Sequence, residues 1–188
     1  LVNVGESGID ERGDAGIFYT PRTEIDLMCR LSLVDNLSNH LGDEHKSLLY
    51  ELVFAFTDEE KEEIDRRVQN KNLWPEIDKL LRNLTILDPA CGSGSFLVGM
   101  LSVLNDLIQR ADEQLGNEES AYERKKRIIG RSLYGVDVIK WAVDVAELRL
   151  WLQLVIDTEI PFHERKLRPL LPNLDFKIRC GNSLLQEI

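Results

Sequence analysis

The segment Leu84–Met100, LTILDPACGSGSFLVGM, limits the folds open to this chain more than any other. A short apolar run ends at Asp88-Pro89. A turn of small residues follows, with glycines at 92 and 94, and an apolar run of helical period begins at Ser95. Strand, glycine turn, helix is the opening unit of a parallel α/β sheet. Such a turn brings backbone N–H groups and a positive helix end close to a ligand.

The flanking sequence extends the pattern. Ser95–Gln109 places Leu97, Met100, Leu101, Leu104, Leu107 and Ile108 on one helical face. Residues 111–127 read as a charged surface connection, helical in part. SLYGVDV reads as a second strand ending near Asp137, Lys140–Ile156 as a long apolar helix, and Asp175–Cys180 as a third strand after the LPNL turn. Strands and helices in this order, joined by right-handed crossovers, make half of a doubly wound sheet. Ligands lie at the carboxyl ends of such strands, which aligns the Asp88–Gly94 turn, Asp137 and Gly181-Asn182.

Residues 20–82 read as helical. Thr20 caps a helix with Pro21 at its first position and a stripe at Ile25, Met28, Leu31 and Val34. A second helix covers 47–56, a capping box at Thr57–Glu60 opens a third running to about Gln69, and Trp74-Pro75 opens a fourth running to Leu81. The division expected is a mobile segment 1–15, a helical section 16–83, and an α/β section 84–188.

Charge and cysteine usage narrow the function. The net charge is −10, with 18 acidic and 10 basic residues in 1–83 and 15 and 13 in 84–188. That balance is a poor match to a phosphate backbone, so any nucleic-acid surface of the full protein is expected elsewhere. The three cysteines are widely spaced with no CxxC pair, which predicts no metal site, no disulfide framework and a cytoplasmic location. No apolar run is long enough for a membrane span, and the start of the chain has no signal-peptide pattern.

The turn is not a dinucleotide or P-loop fingerprint. After Gly92 and Gly94 the third glycine of G-x-G-x-x-G is missing. Asp137 lies too far on for a Rossmann ribose acid, and no Lys-Ser/Thr follows. Instead, DPACGSGSFL resembles motif I of the gamma-type N6-adenine DNA methyltransferases. GIFYTP (16–21) resembles their motif X, YGVDVIKWAVDVAELRLWLQL their motif II, and CGNSLL their motif III. Beta-type enzymes also carry motif X before motif I. Their motif I reads Asp-Pro-Phe-x-Gly-Ser-Gly-Thr-Thr, whereas Ala90 and Ser95-Phe96 stand here. The long helical insert between motifs X and I resembles the large restriction–modification methylases, including those fused to an endonuclease.

The resemblance implies a partial Rossmann-like methyltransferase fold that holds S-adenosylmethionine. It implies cofactor contacts from Tyr19, Thr20 and Pro21 over the methionine part and from Asp88, Pro89, Ala90, Cys91, Gly92 and Gly94 in the turn. Asp137 would hold the ribose, Val138 (or Ile139) would pack on the adenine ring, and Asn182 would meet the adenine edge. Two positions depart from the family. The motif II string Asp-Ile-Asp-Pro is Asp137-Val138-Ile139-Lys140 here, and Asn182 stands where Asp is frequent.

The family's catalytic Asn/Asp-Pro-Pro-Tyr/Phe string does not occur, and no two of the six prolines are adjacent. The expectation is a methyltransferase piece that stops after motif III and makes its double-stranded DNA contacts through parts absent here. These 188 residues would bind cofactor weakly or not at all and methylate nothing. An RNA or protein-glutamine methyltransferase of the same fold, or a non-catalytic binding module, are the alternatives. Trp141 and Trp151 read as helix–sheet packing, Arg124-Lys125-Lys126-Arg127 as a solvated face offset by Glu113, Glu118, Glu119 and Glu123, and Cys91 as a non-nucleophile. The open edge of the first strand predicts self-association.

Overall fold

A computed structural model of the chain describes residues 20–156 and 177–185. The expected mobile segment 1–15, the motif X residues 16–19, the LPNL turn and the start of the third strand lie outside the described residues.

The order of elements follows from local sequence. Helix α1 spans Arg22–Leu41, and a 3-10 turn Asp43–His45 leads into α2, Lys46–Val53. Helix α3, Asp58–Asn70, starts from a complete capping box: the Thr57 hydroxyl accepts from the Glu60 N–H, and the Glu60 carboxylate accepts from the Thr57 N–H. Helix α4 is Trp74–Asn83. Strand β1, Ile86–Asp88, leads through the glycine turn into α5, Ser95–Leu115. Helix α6 (Ala121–Arg131), strand β2 (Leu133–Asp137), helix α7 (Lys140–Ile156) and strand β3 (Ile178–Cys180) complete the elements among the described residues.

The three strands are parallel in the order β1-β2-β3. Asp88 stands opposite Gly135, and Asp137 opposite Cys180. This is the partial Rossmann-like α/β arrangement anticipated from the sequence, with helical crossovers between successive strands. Alternation along the strands buries Ile86, Leu133, Gly135 and Ile178 on one face and leaves Leu87 and Arg179 exposed on the other. Among the described residues, β1 has no strand on its outer edge.

Helix α5 is the central column. All six residues of its expected apolar face are buried, and it packs against α1, α4, α6 and α7. Burial of each large aliphatic side chain contributes about 1.5–3 kcal/mol. Where α1 crosses α5, a Cβ on Gly99 would lie 2.8 Å from Ile25 Cγ2 and 3.3 Å from Cys29 Sγ, so the missing side chain sets the approach. The helical section and the sheet share one hydrophobic core.

Ion pairs bury polar links through that core. Arg110 on α5 meets Asp65 on α3, both nearly fully buried, and donates to the Leu52 carbonyl at 2.9 Å. Asp112 receives both Arg82 and Arg124, while Glu119 receives Arg82 and Arg127. Bonding to Arg127, helped by Arg82, holds the Glu119 carboxyl below its usual range.

Several sequence expectations are corrected. Arg124 is not on a solvated face: it is 4% exposed and bound to Asp112 and to Asn105 Oδ1 at 3.0 Å. Trp141 is 56% exposed, because it lies on the face of α7 opposite buried Ala142, Val143 and Ala146, whereas Trp151 packs on the core. Thr20 makes no capping bond. Pro21 occupies the cap position itself and Arg22 begins the helix. Met28 and Leu31 are exposed, since the buried stripe of α1 runs through Ile25, Cys29, Leu33 and Leu37. Helix α2 stops at Val53, and β1 starts at Ile86, both shorter than the apolar runs that predicted them.

Candidate functional site

The carboxyl ends of the three strands carry the groups singled out by sequence. Asp88 ends β1, and its Oδ1 accepts from the Ala90 N–H at 3.2 Å, which starts the turn. The turn is then tied to β2: the Cys91 N–H donates to the Val136 carbonyl at 2.9 Å, and the Gly92 N–H donates to Asp137 Oδ2 at 2.8 Å. The other Asp137 oxygen accepts from the Ile139 N–H at 2.9 Å. One carboxylate thus holds both the turn after β1 and the entry to α7.

The glycines have separate reasons to be glycine. Gly92 (φ 50°) and Gly94 (φ 76°) are in the left-handed region. A Cβ on Gly94 would also lie 2.9 Å from Ala146 Cβ, so the turn rests directly on α7. In β2 a Cβ on Gly135 would meet Cys91 Sγ and Leu97 Cδ1, each at 3.0 Å. The strand therefore leaves room for the turn to fold over it.

A cleft of about 380 Å³ opens beside the turn. Of the sequence candidates, Thr20, Asp88, Pro89, Ala90, Cys91 and Gly92 line it, together with Ile25, Met28 and Phe96 among others. Gly94 is buried behind the turn, and Pro21 is exposed at the start of α1. Asp137 acts from outside the cleft lining, through the Gly92 N–H. Val138 is 63% exposed just beyond it. Asn182 is exposed, and its Oδ1 accepts from the Leu184 N–H at 2.9 Å. Neighbouring Ser183 donates to the Pro89 carbonyl at 2.8 Å. Tyr19 lies outside the described residues.

The electrostatics of the site are anionic. Burial raises the Asp88 carboxyl above its usual value, and the Asp137 charge adds to that, against the Ala90 N–H. Neither carboxylate has an ion-pair partner among the described residues. Helix α5 follows Gly94, a cap position that brings no side-chain hydrogen bond to the helix start. The Cys91 thiol is pushed up to about 12 by burial and by the Asp88 and Asp137 charges, so it is no nucleophile. Among the described residues there is no cluster of three or more metal-ligating side chains, and no helix is long and apolar enough to cross a membrane.

Two groups at the site escaped the sequence reading. Arg149 of α7 donates from Nη1 to the Ser93 carbonyl (3.0 Å), Ser93 Oγ (3.1 Å) and Ser95 Oγ (2.8 Å). The sequence signal was one cation in the middle of an apolar helix. The Ser183 bond to Pro89, which links the third strand's exit to the turn, had no sequence signal.

A parallel sheet with a glycine turn and an acid at the next strand end is the architecture of a nucleotide-type or methyltransferase site. Comparison with known proteins decides between them. The family described as MmeI, DNA-methyltransferase domain, matches residues 62–187, and the chain belongs to that family. A putative type II restriction enzyme and methyltransferase of Methanocaldococcus jannaschii is 32% identical over 188 residues, covering 98% of this chain and 16% of the relative. DNA methyltransferase A of Bacillus subtilis is 32% identical over 125 residues, 62% of this chain and 13% of its own length. A type II restriction enzyme and methyltransferase of Escherichia coli is 30% identical over 117 residues, 56% of this chain and 11% of its own. The chain therefore spans about a sixth or less of the length of these relatives. The resemblance to restriction–modification methylases is borne out at the level of the family.

Proposed function

We propose that this chain is the cofactor-binding part of a site-specific DNA adenine-N6 methyltransferase of a restriction–modification or related defence system, and that its cofactor is S-adenosylmethionine. In this reading residues 84–188 are the cofactor-binding half, and 16–83 are the helical section that brings motif X over it.

One observation carries the reading. Two carboxylates without cationic partners, Asp88 and Asp137, flank a positive-φ glycine turn at the ends of adjacent parallel strands, beside a cleft of about 380 Å³. A cleft of that size suits a nucleoside-sized ligand. Unpaired, partly buried carboxylates favour a ligand carrying positive charge. The uncapped start of α5 suits the ligand's carboxylate.

When bound, S-adenosylmethionine supplies a methyl group activated by its sulfonium. The chain's own residues bind and orient. Asp88 balances the positive methionine end. Asp137 has lone pairs beyond the two that accept from Gly92 and Ile139, and these accept ribose hydroxyls. Exposed Val138 offers an apolar surface to the adenine ring, Asn182 meets its polar edge, and Tyr19, Thr20 and Pro21 cover the methionine part. Pro89, Ala90, Cys91, Gly92 and Gly94 shape the seat. The residues that would polarise the target N6 are not assigned within this chain, which has no Asn/Asp-Pro-Pro-Tyr/Phe string. Double-stranded DNA is the partner of the full protein in this reading.

Saturation-transfer NMR with S-adenosylmethionine tests the reading, because it registers weak binding. Transfer to the ligand in the wild type, lost in Asp137→Ala, is expected. Absence of transfer in both proteins overturns it in favour of a non-catalytic module.

A further inference from the structure

We propose that Arg149 is a positioning residue for the cofactor: it fixes the Ser93–Ser95 turn in the conformation that leaves the first N–H groups of α5 to a ligand. The inference rests on the cofactor reading above.

The geometry is that of a clamp. One guanidinium nitrogen serves three acceptors on two residues of the turn, at 2.8–3.1 Å. Ala146, on the same face of α7 one turn earlier, is the floor against which Gly94 lies. The helix carrying both begins directly after Asp137, whose carboxylate holds the Gly92 N–H and the Ile139 N–H. A rigid helix is therefore fastened to the turn at its far end by Arg149 and at its near end through Asp137. The two halves of the seat, one after β1 and one after β2, cannot shift separately.

The two hydroxyls explain why a cation is needed. Serine side chains beside a helix start compete for its unpaired N–H groups by accepting from them. Here Ser93 and Ser95 flank Gly94, the cap residue, which has no side chain to offer, and among the described residues neither hydroxyl accepts from a helix N–H. Both hydroxyls are instead drawn to Arg149, on the side of the turn that rests on α7. Arg149 thereby keeps the chain from capping its own helix where the ligand's carboxylate is needed. A neutral side chain here releases the hydroxyls. Lysine keeps the charge, but carries it on a stem of different length and shape.

The test uses the 188-residue chain with Arg149→Gln, Arg149→Lys and Ser95→Ala, read by amide hydrogen exchange and by S-adenosylmethionine titration. Arg149→Gln is expected to speed exchange in residues 91–98 about tenfold, the size expected for losing a charged hydrogen bond. Exchange in α1–α4 should stay as in wild type, and the dissociation constant should rise by a similar factor. Arg149→Lys should recover part of both. Ser95→Ala should soften the loss in Arg149→Gln, because it removes a competing hydroxyl. Wild-type exchange in the turn of Arg149→Gln overturns the proposal. So does a uniform rise in exchange across the whole chain, which marks a merely structural residue, or unchanged affinity when the turn is loosened. If the wild type gives no cofactor signal while exchange in the turn depends on Arg149, the cofactor reading fails and the clamp on the turn stands.

Discussion

The Gly92 N–H and the Asp137 carboxylate, 45 positions apart in sequence, meet at 2.8 Å and join the first strand's turn to the second strand's end. An acid expected to serve a ligand therefore also holds the protein together. Asp137→Ala should cost about 1.5–3 kcal/mol of unfolding free energy, as expected for hydrogen bonds to a charged acceptor. It should also lose cofactor binding. Urea denaturation measures the first, and a midpoint equal to wild type would count against it.

Gly92 and Gly94 differ in what surrounds them. A Cβ at Gly92 has nothing within 4 Å, so Gly92→Ala should cost about 1–2 kcal/mol from the left-handed backbone alone. A Cβ at Gly94 meets Ala146 at 2.9 Å in addition, and overpacking adds about 1–3 kcal/mol. Chemical denaturation should rank Gly94→Ala as clearly the less stable. Equal losses would show that α7 yields.

The raised Asp88 carboxyl gives a pH dependence of definite sign. Its folded form holds a proton more tightly than the unfolded chain does, so the ligand-free protein loses stability as pH rises from the ordinary carboxylate value to the raised one. Asp88→Asn should therefore stabilise the ligand-free chain at neutral pH. A cationic ligand needs the ionised form, so affinity for S-adenosylmethionine should fall as pH drops through the raised value. Titration at several pH values checks this, and affinity that grows on acidification would contradict it.

Burial pushes the thiols of Cys29 and Cys91 up to about 12, while Cys180 is exposed. Folded protein at pH 7.5 should take up one equivalent of iodoacetamide, at Cys180, and unfolded protein three. Mass spectrometry reads the count. Rapid labelling of Cys91 in the native state would mean that the turn opens.

Exposed Leu87, 60% accessible on an edge strand, should promote pairing of copies of this chain. Light scattering should give a mass above one chain, lowered by Leu87→Lys. A wild-type mass of one chain would rule this out.

Much of this was legible in the primary structure. The six apolar positions of α5, the Thr57 capping box and the strand-ending acids obey local rules of period, cap and turn. What was not legible depends on packing between elements that no local pattern encodes. Arg124 looked solvated because its run is basic and its neighbours are acidic, but Asp112 draws it inward. Trp141 looked buried because its helix is apolar all round, a composition that cannot say which side meets the sheet. At the site, the residue types at Asp88, Gly92, Gly94 and Asp137 were readable from motif and spacing. The brace from Arg149 was not, since it joins segments 54 and 56 residues apart.

Those long spans bear on how the protein emerges from a ribosome. The seat is closed by Gly92 with Asp137, Ser93 with Arg149, and Pro89 with Ser183, the last 94 residues apart. Helices α1 and α2 can meet through contacts close in sequence, but the helical section as a whole packs only once α5 has been made. The turn, by contrast, is synthesised long before any residue that holds it. A growing chain therefore carries an unformed turn until its third strand has been released, and on the proposed reading the ability to take up cofactor arrives late and in one step.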